Sequence, residues 1–310
     1  MSEYDVLIVG GGPAGITAGM YAGRSDLKVG MLERLMPGGE VASTEWVENY
    51  PGFDEGISGA DLMMRMEKQA KKFNLEILSG AVDHIDLEGK IKTVRASGKT
   101  YRSKSIVLAT GSDAKKLNVP GESELKGRGV SYCATCDGPF FKDKDIVVVG
   151  GGSSGLQESL YLTRFVRSIK LVEFMDHLNA EKILQKRARE NPKFSFFLNH
   201  RVLEIRGENK VEQVLVENRE NGNQKTFDVQ GIFIWIGFNP NTEFLKGVVK
   251  LDKWNYVVTD EEMQTSIPGV FAVGDVRSKS VRQITTAVAD GTIAAISAFN
   301  YIEKNFEHGV

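Results

Sequence analysis

Four apolar residues, Val6-Leu7-Ile8-Val9, follow Asp5 near the start of the chain with no polar position between them. An unbroken run of this kind predicts a short parallel strand buried on both faces. It opens onto Gly10-Gly11-Gly12-Pro13-Ala14-Gly15, and the pattern from Ile16 to about Gly23 is helical. A second apolar run, Lys28 to Leu32, closes on Glu33, 23 residues after the first glycine. Strand, G-x-G-x-x-G turn, helix, strand and acid together form the fingerprint of a dinucleotide site. The glycines permit the tight turn, the close approach of a pyrophosphate and close helix–strand packing. The helix N-terminus attracts the pyrophosphate, and Glu33 is placed to accept from ribose hydroxyls.

The same pattern recurs 140 residues later. Asp145-Ile146-Val147-Val148-Val149 leads into Gly150-Gly151-Gly152-Ser153-Ser154-Gly155, then a helix from Leu156 to about Phe165. The next strand, Ser168 to Val172, ends in Glu173. At this offset Gly10, Gly12, Gly15, Tyr21, Arg24 and Glu33 superpose on Gly150, Gly152, Gly155, Tyr161, Arg164 and Glu173. A lone G-x-G-x-x-G is weak, because glycine-rich turns are common; two copies in the same context are a strong signal. They imply two dinucleotides, or one and a decayed copy. One held permanently and one exchangeable is the arrangement of a flavin enzyme that draws electrons from a nicotinamide.

The remaining pattern divides the chain. A strand from Lys104 to Leu108 runs into Ala109-Thr110-Gly111-Ser112 and then a polar stretch with Pro120-Gly121-Glu122. Gly231 to Gly237 is another buried-type strand, and Gly269 to Asp275 reads strand, turn, acid. Gln283 to Phe299 predicts a helix with a small, apolar face suited to close packing. Thr93 to Tyr101 and Val202 to Phe227 predict antiparallel hairpins, with Asn221-Gly222 as a turn in the second. The predicted fold is α/β, with two Rossmann-like, three-layer dinucleotide-binding domains, the second inserted into the first. The expected boundaries are residues 1–115 with 245–310, and 116–244, with hinges around Lys116 and Phe244.

Composition narrows the partners. The 310 residues carry 39 basic and 41 acidic side chains, so a net charge of −2 offers no basic field for nucleic acid or an anionic membrane. No apolar run approaches the roughly 20 residues that span a bilayer. The N-terminus lacks the basic region and cleavage site of a signal peptide, so a cytoplasmic location is expected. Two cysteines cannot build a disulfide scaffold. Yet Cys133 and Cys136 form a C-x-x-C, which in a reducing compartment points to redox chemistry. Half a zinc site and two inert core thiols are the alternatives. Zinc needs four ligands, and His84, His177, His200 and His308 show no ligand spacing.

Taken together, the chain resembles the low-molecular-weight thioredoxin reductase family along essentially its whole length. The resemblance rests on the first glycine turn, Gly38-Gly39, Val47-Glu48-Asn49-Tyr50-Pro51-Gly52, Ala109-Thr110-Gly111, Cys133-Ala134-Thr135-Cys136-Asp137-Gly138, Gly274-Asp275 and Arg282-Gln283. It implies FAD on the first domain, a nicotinamide nucleotide on the second, thioredoxin as substrate and a homodimer. Gly10, Gly12, Pro13, Ala14, Gly15, Glu33 and Arg34 would hold the ADP half of FAD. Gly39, Glu40 and Asn49 would line the flavin side, and Val82 would offer backbone to adenine. Gly111, Gly274 and Asp275 would lie along the cofactor, with Arg282, Gln283 and Ile284 presenting backbone to the flavin ring. Glu40 stands where the family usually has Gln. The resemblance also implies that Cys136 faces the flavin, Cys133 attacks thioredoxin, and Asp137 handles the proton as acid and base.

One segment departs from the family. NADPH-using members end the second strand of the inserted domain in His-Arg-Arg, whose guanidiniums grip the 2′-phosphate. Here it reads Val172-Glu173-Phe174-Met175-Asp176-His177-Leu178-Asn179-Ala180, with no arginine. A glutamate accepts from a free 2′-hydroxyl and repels a 2′-phosphate. Gly150, Gly152, Ser153, Ser154, Gly155 and Glu173 are therefore expected to take NADH as donor. The alternatives are reduced ferredoxin or another donor with no nicotinamide, or a non-catalytic FAD-binding relative. A ferredoxin–NADP reductase of similar build lacks the redox C-x-x-C. The flavoprotein of the alkyl hydroperoxide reductase system carries an extra N-terminal region.

Overall fold

The computed structural model describes residues 2–44 and 46–307. The chain forms two compact units, Met1–Asp113 with Asn239–Val310, and Ala114–Phe238.

In the first unit the strand Ser2–Val9 lies between Val29–Glu33 and Lys99–Leu108, parallel to both. Glu76–Ser79 extends the parallel edge beyond Val29–Glu33. Val6 and Ile8 enter one core, while Leu7 and Val9 enter the core on the opposite face. That double burial is why the run has no polar position. Lys99–Leu108 is ten residues long because it serves two neighbours. Its first half pairs antiparallel with Lys92–Ala96, and Ile106 to Leu108 pair in parallel with Val270–Ala272. The hairpin turns at Ser97 and Gly98, with φ of 47° and 78°, the left-handed pair that matches strand twist. Val82–Asp86 adds a further antiparallel strand that the sequence pattern does not reveal.

Three helices share the core on one face of this sheet, Pro13–Arg24, Gly59–Lys71 and Ile284–Ile302. Pro13–Arg24 starts earlier than Ile16 because Pro13 suits the first helical turn, where no amide partner is needed. Ile284–Ile302 packs against it so closely that a Cβ on Gly291 would lie 2.3 Å from the Ala14 carbonyl oxygen. Ala294, Ala295 and Ala298 fill the same core with Val6, Ile8 and Ala18.

The second unit is built on a parallel sheet ordered Phe194–Phe197, Ser168–Val172, Asp145–Val149, Gly231–Ile234, Val130–Ser131. An antiparallel sheet of His200–Arg206, Gln213–Asn218 and Gln224–Asp228 accompanies it, with Gly222 in its second turn at φ 74°. The chain passes between the units in Ser112–Ala114 and Phe238–Pro240, which pair as a two-stranded ribbon. Asn241 anchors the returning chain to the first unit. Its Nδ2 donates to the Thr110 carbonyl and to Asp113, and its own carbonyl accepts from Thr110 Oγ1. No helix among the described residues is long and apolar enough to cross a membrane.

Candidate active site

The two glycine turns assign the same task to the same position. Gly10 has φ 109°, and a Cβ there would sit 2.2 Å from the Ala109 carbonyl oxygen. Gly150 has φ 115°, and a Cβ there would sit 2.0 Å from the Trp235 carbonyl oxygen. Each third glycine, Gly15 or Gly155, lets the helix close on the carbonyl of its own first glycine. Each middle glycine, Gly12 or Gly152, faces open space and puts no side-chain cap on the helix it starts. The first helix amides are therefore left with positive dipole character and room beside them, which fits a pyrophosphate.

The acids also correspond. Glu33 Oε2 accepts from Gly11 N at 2.7 Å and Oε1 from Leu35 N at 3.0 Å. Glu173 Oε2 accepts from Gly151 N, and Oε1 from Met175 N at 2.8 Å. Each carboxylate thus pins its own loop to the glycine turn and keeps lone pairs for ribose hydroxyls.

Around the first turn the structure brings together several of the residues that the resemblance implies. Gly38 N donates to the Gly11 carbonyl at 2.8 Å. A Cβ on Gly39 would lie 3.5 Å from Gly12 Cα. Pro13 and Ala14 open the helix, and Gly274 packs against Ala14 so that a Cβ on Gly274 would lie 3.0 Å from the Ala14 methyl. Asn49 Nδ2 donates to Gln283 Oε1 at 3.3 Å, and Gln283 caps the helix that Ile284 begins. Gly111, at φ 64°, accepts the Asn241 amide and leaves its outer side open. Val82 lies two residues beyond Gly80, whose N–H donates to the Glu33 carbonyl. Arg34 is exposed and pairs with Asp113 at 3.7 Å. Glu40 sits in the turn Gly39–Ser43, and partial desolvation, reinforced by Asp113, raises its carboxyl above the ordinary range.

The cofactor fit has a direct mark. Among the described residues, four buried side-chain atoms lack a hydrogen-bond partner: Ser103 Oγ, Thr135 Oγ1, Asp275 Oδ1 and Arg282 Nε. Two of the four belong to residues expected along FAD, and a third lies between the cysteines. An orphaned buried oxygen or nitrogen is costly unless a ligand satisfies it, so the Asp275 and Arg282 atoms of the first unit fit a hydroxyl- and phosphate-rich cofactor. Burial raises the Asp275 carboxyl, while Lys279 and Arg282 pull it down.

Behind Asp275 lies a group that the sequence pattern does not single out. Asp290, from the middle of Ile284–Ile302, accepts from Gly274 N at 3.0 Å, Arg277 at 2.8 Å and Lys279 at 3.0 Å. Lys279 also stands 3.7 Å from Asp275. The available signal is a lone aspartate among the small and apolar residues of that helix.

In the second unit Cys133 and Cys136 form a disulfide with Cα atoms 5.4 Å apart. Cys133 caps the single-turn helix Ala134–Asp137, and its Sγ accepts from Cys136 N at 3.1 Å. Ser131 Oγ braces both the amide and the carbonyl of Cys133. Cys136 is exposed in this unit, and Asp137 is half-buried beside it. Tyr132, next to Cys133, is held by Glu122 at 2.6 Å and by the Trp235 indole N–H at 3.2 Å. Trp235 is also the residue whose carbonyl crowds Gly150, so one strand end supports both the disulfide loop and the second glycine turn.

The chain matches known proteins along nearly its whole length. A family model described as pyridine nucleotide-disulphide oxidoreductase matches residues 4–291. A thioredoxin reductase of Listeria innocua serovar 6a is 47% identical over 303 residues, covering 97% of this chain and 94% of that protein. The crystal structure of Lactococcus lactis thioredoxin reductase in its FR conformation superposes with a TM-score of 0.95 at 43% identity, covering 97% of this chain and 99% of that one. A ferredoxin-flavin thioredoxin reductase of Clostridium acetobutylicum matches at a TM-score of 0.53 and 26% identity, over 99% of each chain. The chain belongs to the pyridine nucleotide-disulphide oxidoreductase family and, within it, to the thioredoxin reductases, which are FAD-dependent oxidoreductases.

Proposed function

We propose that this chain reduces the disulfide of a thioredoxin through the Cys133–Cys136 pair, with FAD on the first unit and NADH as the donor on the second. The observation that carries the reading is the C-x-x-C closed as a disulfide, in a chain that builds the dinucleotide turn twice. Gly10, Gly12, Pro13, Ala14, Gly15, Glu33, Arg34 and Asp275 would hold FAD, and Gly39, Glu40, Asn49, Val82, Gly111, Gly274, Arg282, Gln283 and Ile284 would line it. FAD, when bound, supplies the two electrons that open the S–S bond.

The protein's own groups do the rest. The opened pair is one thiolate and one thiol. The Cys136 amide, directed at Cys133 Sγ, favours the thiolate on Cys133. That thiolate attacks the partner's disulfide, forming a mixed disulfide and releasing a partner thiolate. Asp137 gives that leaving thiolate a proton and later takes the proton of the Cys136 thiol. Cys136 then attacks the mixed disulfide, re-forms the Cys133–Cys136 bond and frees the reduced partner.

The donor assignment rests on Glu173. It repeats the arrangement of Glu33, and a carboxylate at the ribose favours a free 2′-hydroxyl over a 2′-phosphate. A second reading, reduced ferredoxin as donor, is favoured by the likeness to the ferredoxin-flavin enzyme. Anaerobic mixing of the holoenzyme with NADH, NADPH or reduced ferredoxin separates the readings. NADH is expected to bleach the flavin absorbance within the turnover time. Rapid bleaching by micromolar NADPH overturns the donor assignment, and bleaching by ferredoxin alone selects the second reading.

A further inference from the structure

The adenosine end of the second site carries a structure absent from the first. Glu33 and Glu173 mark corresponding points, because each bonds its glycine turn and the amide two residues on. The residue after the acid is Arg34 in the first unit and Phe174 in the second. Phe174 is half-exposed, although the strand before it, Ser168–Val172, ends in the core. A guanidinium is nevertheless present. Arg219, from the turn after Gln213–Asn218, lies 3.4 Å over the centre of the Phe174 ring. Its Nη1 donates to the Phe174 carbonyl at 2.8 Å and to Asn199 Oδ1 at 3.3 Å. The loop beneath is fixed as well, since Asn199 N donates to the Met175 carbonyl, Arg219 N to the Asn199 carbonyl and His200 N to the Glu173 carbonyl.

The position after the acid, an arginine in the first unit, is therefore aromatic in the second. The ring now follows the ribose-binding acid, and the cation arrives from a turn 46 positions away. Purine bases stack on aromatic faces and on guanidinium planes alike. A guanidinium held over a ring and tied to two oxygens is pre-organised for stacking and has lost freedom to follow a phosphate. Glu173, at the start of the same loop, adds negative charge where a 2′-phosphate would bring more.

We propose that the Phe174–Arg219 stack is the specificity-determining platform of the second site, stacking the adenine of a dinucleotide whose 2′-hydroxyl is free. The inference rests on the NADH reading above and adds two residues to it. Its test is equilibrium binding of ADP-ribose, NADH and NADPH to the FAD-loaded enzyme by calorimetry, with no turnover needed. Phe174→Ala and Arg219→Ala are each expected to weaken ADP-ribose and NADH on the order of tenfold. Phe174→Tyr is expected to retain wild-type affinity, which separates loss of the stack from loss of the fold. Wild-type affinity in both alanine variants overturns the platform while leaving the NADH reading intact. Selective loss of NADPH binding in Arg219→Ala overturns it too, because Arg219 would then be a phosphate grip. A wild-type enzyme that binds neither NADH nor ADP-ribose removes the donor reading and the platform together.

Discussion

Glu173 accepts the backbone N–H of Gly151, 22 residues before it, just as Glu33 accepts that of Gly11 across the same interval. The carboxylate is thereby fixed beside the glycine turn, and in the proposed donor site its charge would be the electrostatic bar to a 2′-phosphate. Glu173→Gln removes the charge and keeps the shape. The ratio of kcat/KM for NADH over NADPH is expected to fall on the order of tenfold. Steady-state assays with each nucleotide and a thioredoxin check this, and an unchanged ratio removes Glu173 from donor selection.

Gly150 and Gly152 are two residues apart and predict opposite phenotypes. A side chain at Gly150 meets the Trp235 carbonyl at 2.0 Å from a backbone with φ 115°, so Gly150→Ala is expected to destabilise the second unit by more than about 2 kcal/mol. Gly152 has φ −80° and open space above it, so Gly152→Ala is expected to fold normally and lose dinucleotide affinity. Thermal unfolding and ADP-ribose titration of both variants read the two effects separately.

Asp290 is the only carboxylate shared by Gly274, Arg277 and Lys279 among the described residues. Arg277 and Lys279 side chains are 14% and 10% exposed, so removing Asp290 leaves a buried Arg277 with no carboxylate and Lys279 with only Asp275 at 3.7 Å. Asp290→Ala is expected to cost about 3–5 kcal/mol in denaturant unfolding and to loosen FAD, because Gly274 N positions Asp275. Asp290→Asn keeps an acceptor for Gly274 and is expected to lose less.

Asp145 gives a pH test of the second unit. Its carboxylate takes a two-pronged bond from Arg167 and another from Ser168, and these hold its pKa down to about 2. A carboxyl depressed on folding stabilises the native state above its unfolded value, and that contribution is lost as pH falls toward the folded value. Asp145→Asn is therefore expected to lower the unfolding temperature at pH 7. The gap to wild type narrows as pH falls through the ordinary aspartate range to about 2. A gap independent of pH would show that the charge of Asp145 contributes nothing.

Most of the architecture was legible because burial on two faces leaves a plain trace. Val6 to Val9 and Ile146 to Val149 have no room for polar side chains, and the glycines that follow answer to backbone carbonyls a few ångströms away. The cofactor-side clustering of Gly39, Asn49, Gly274 and Gln283 came only from resemblance, since nothing local in their spacing brings them together. The strand Val82–Asp86 was hidden because its outward positions are polar and its neighbours supply the pairing. Arg219 was hidden for another reason. The segment Val172 to Ala180 contains no arginine, and only the pairing of Asn199 with Arg219 across the antiparallel sheet delivers one to it.

The central claim is that electrons leave the flavin only through Cys133 and Cys136. The most direct measurement is donor-free: holoenzyme reduced with dithionite, freed of excess reductant, and mixed anaerobically with oxidised thioredoxin while flavin absorbance is followed. Wild type is expected to regain its oxidised flavin spectrum within the turnover time. Cys133→Ser and Cys136→Ser are each expected to keep FAD bound and reduced. Flavin reoxidation by thioredoxin at the wild-type rate in either variant would contradict the account.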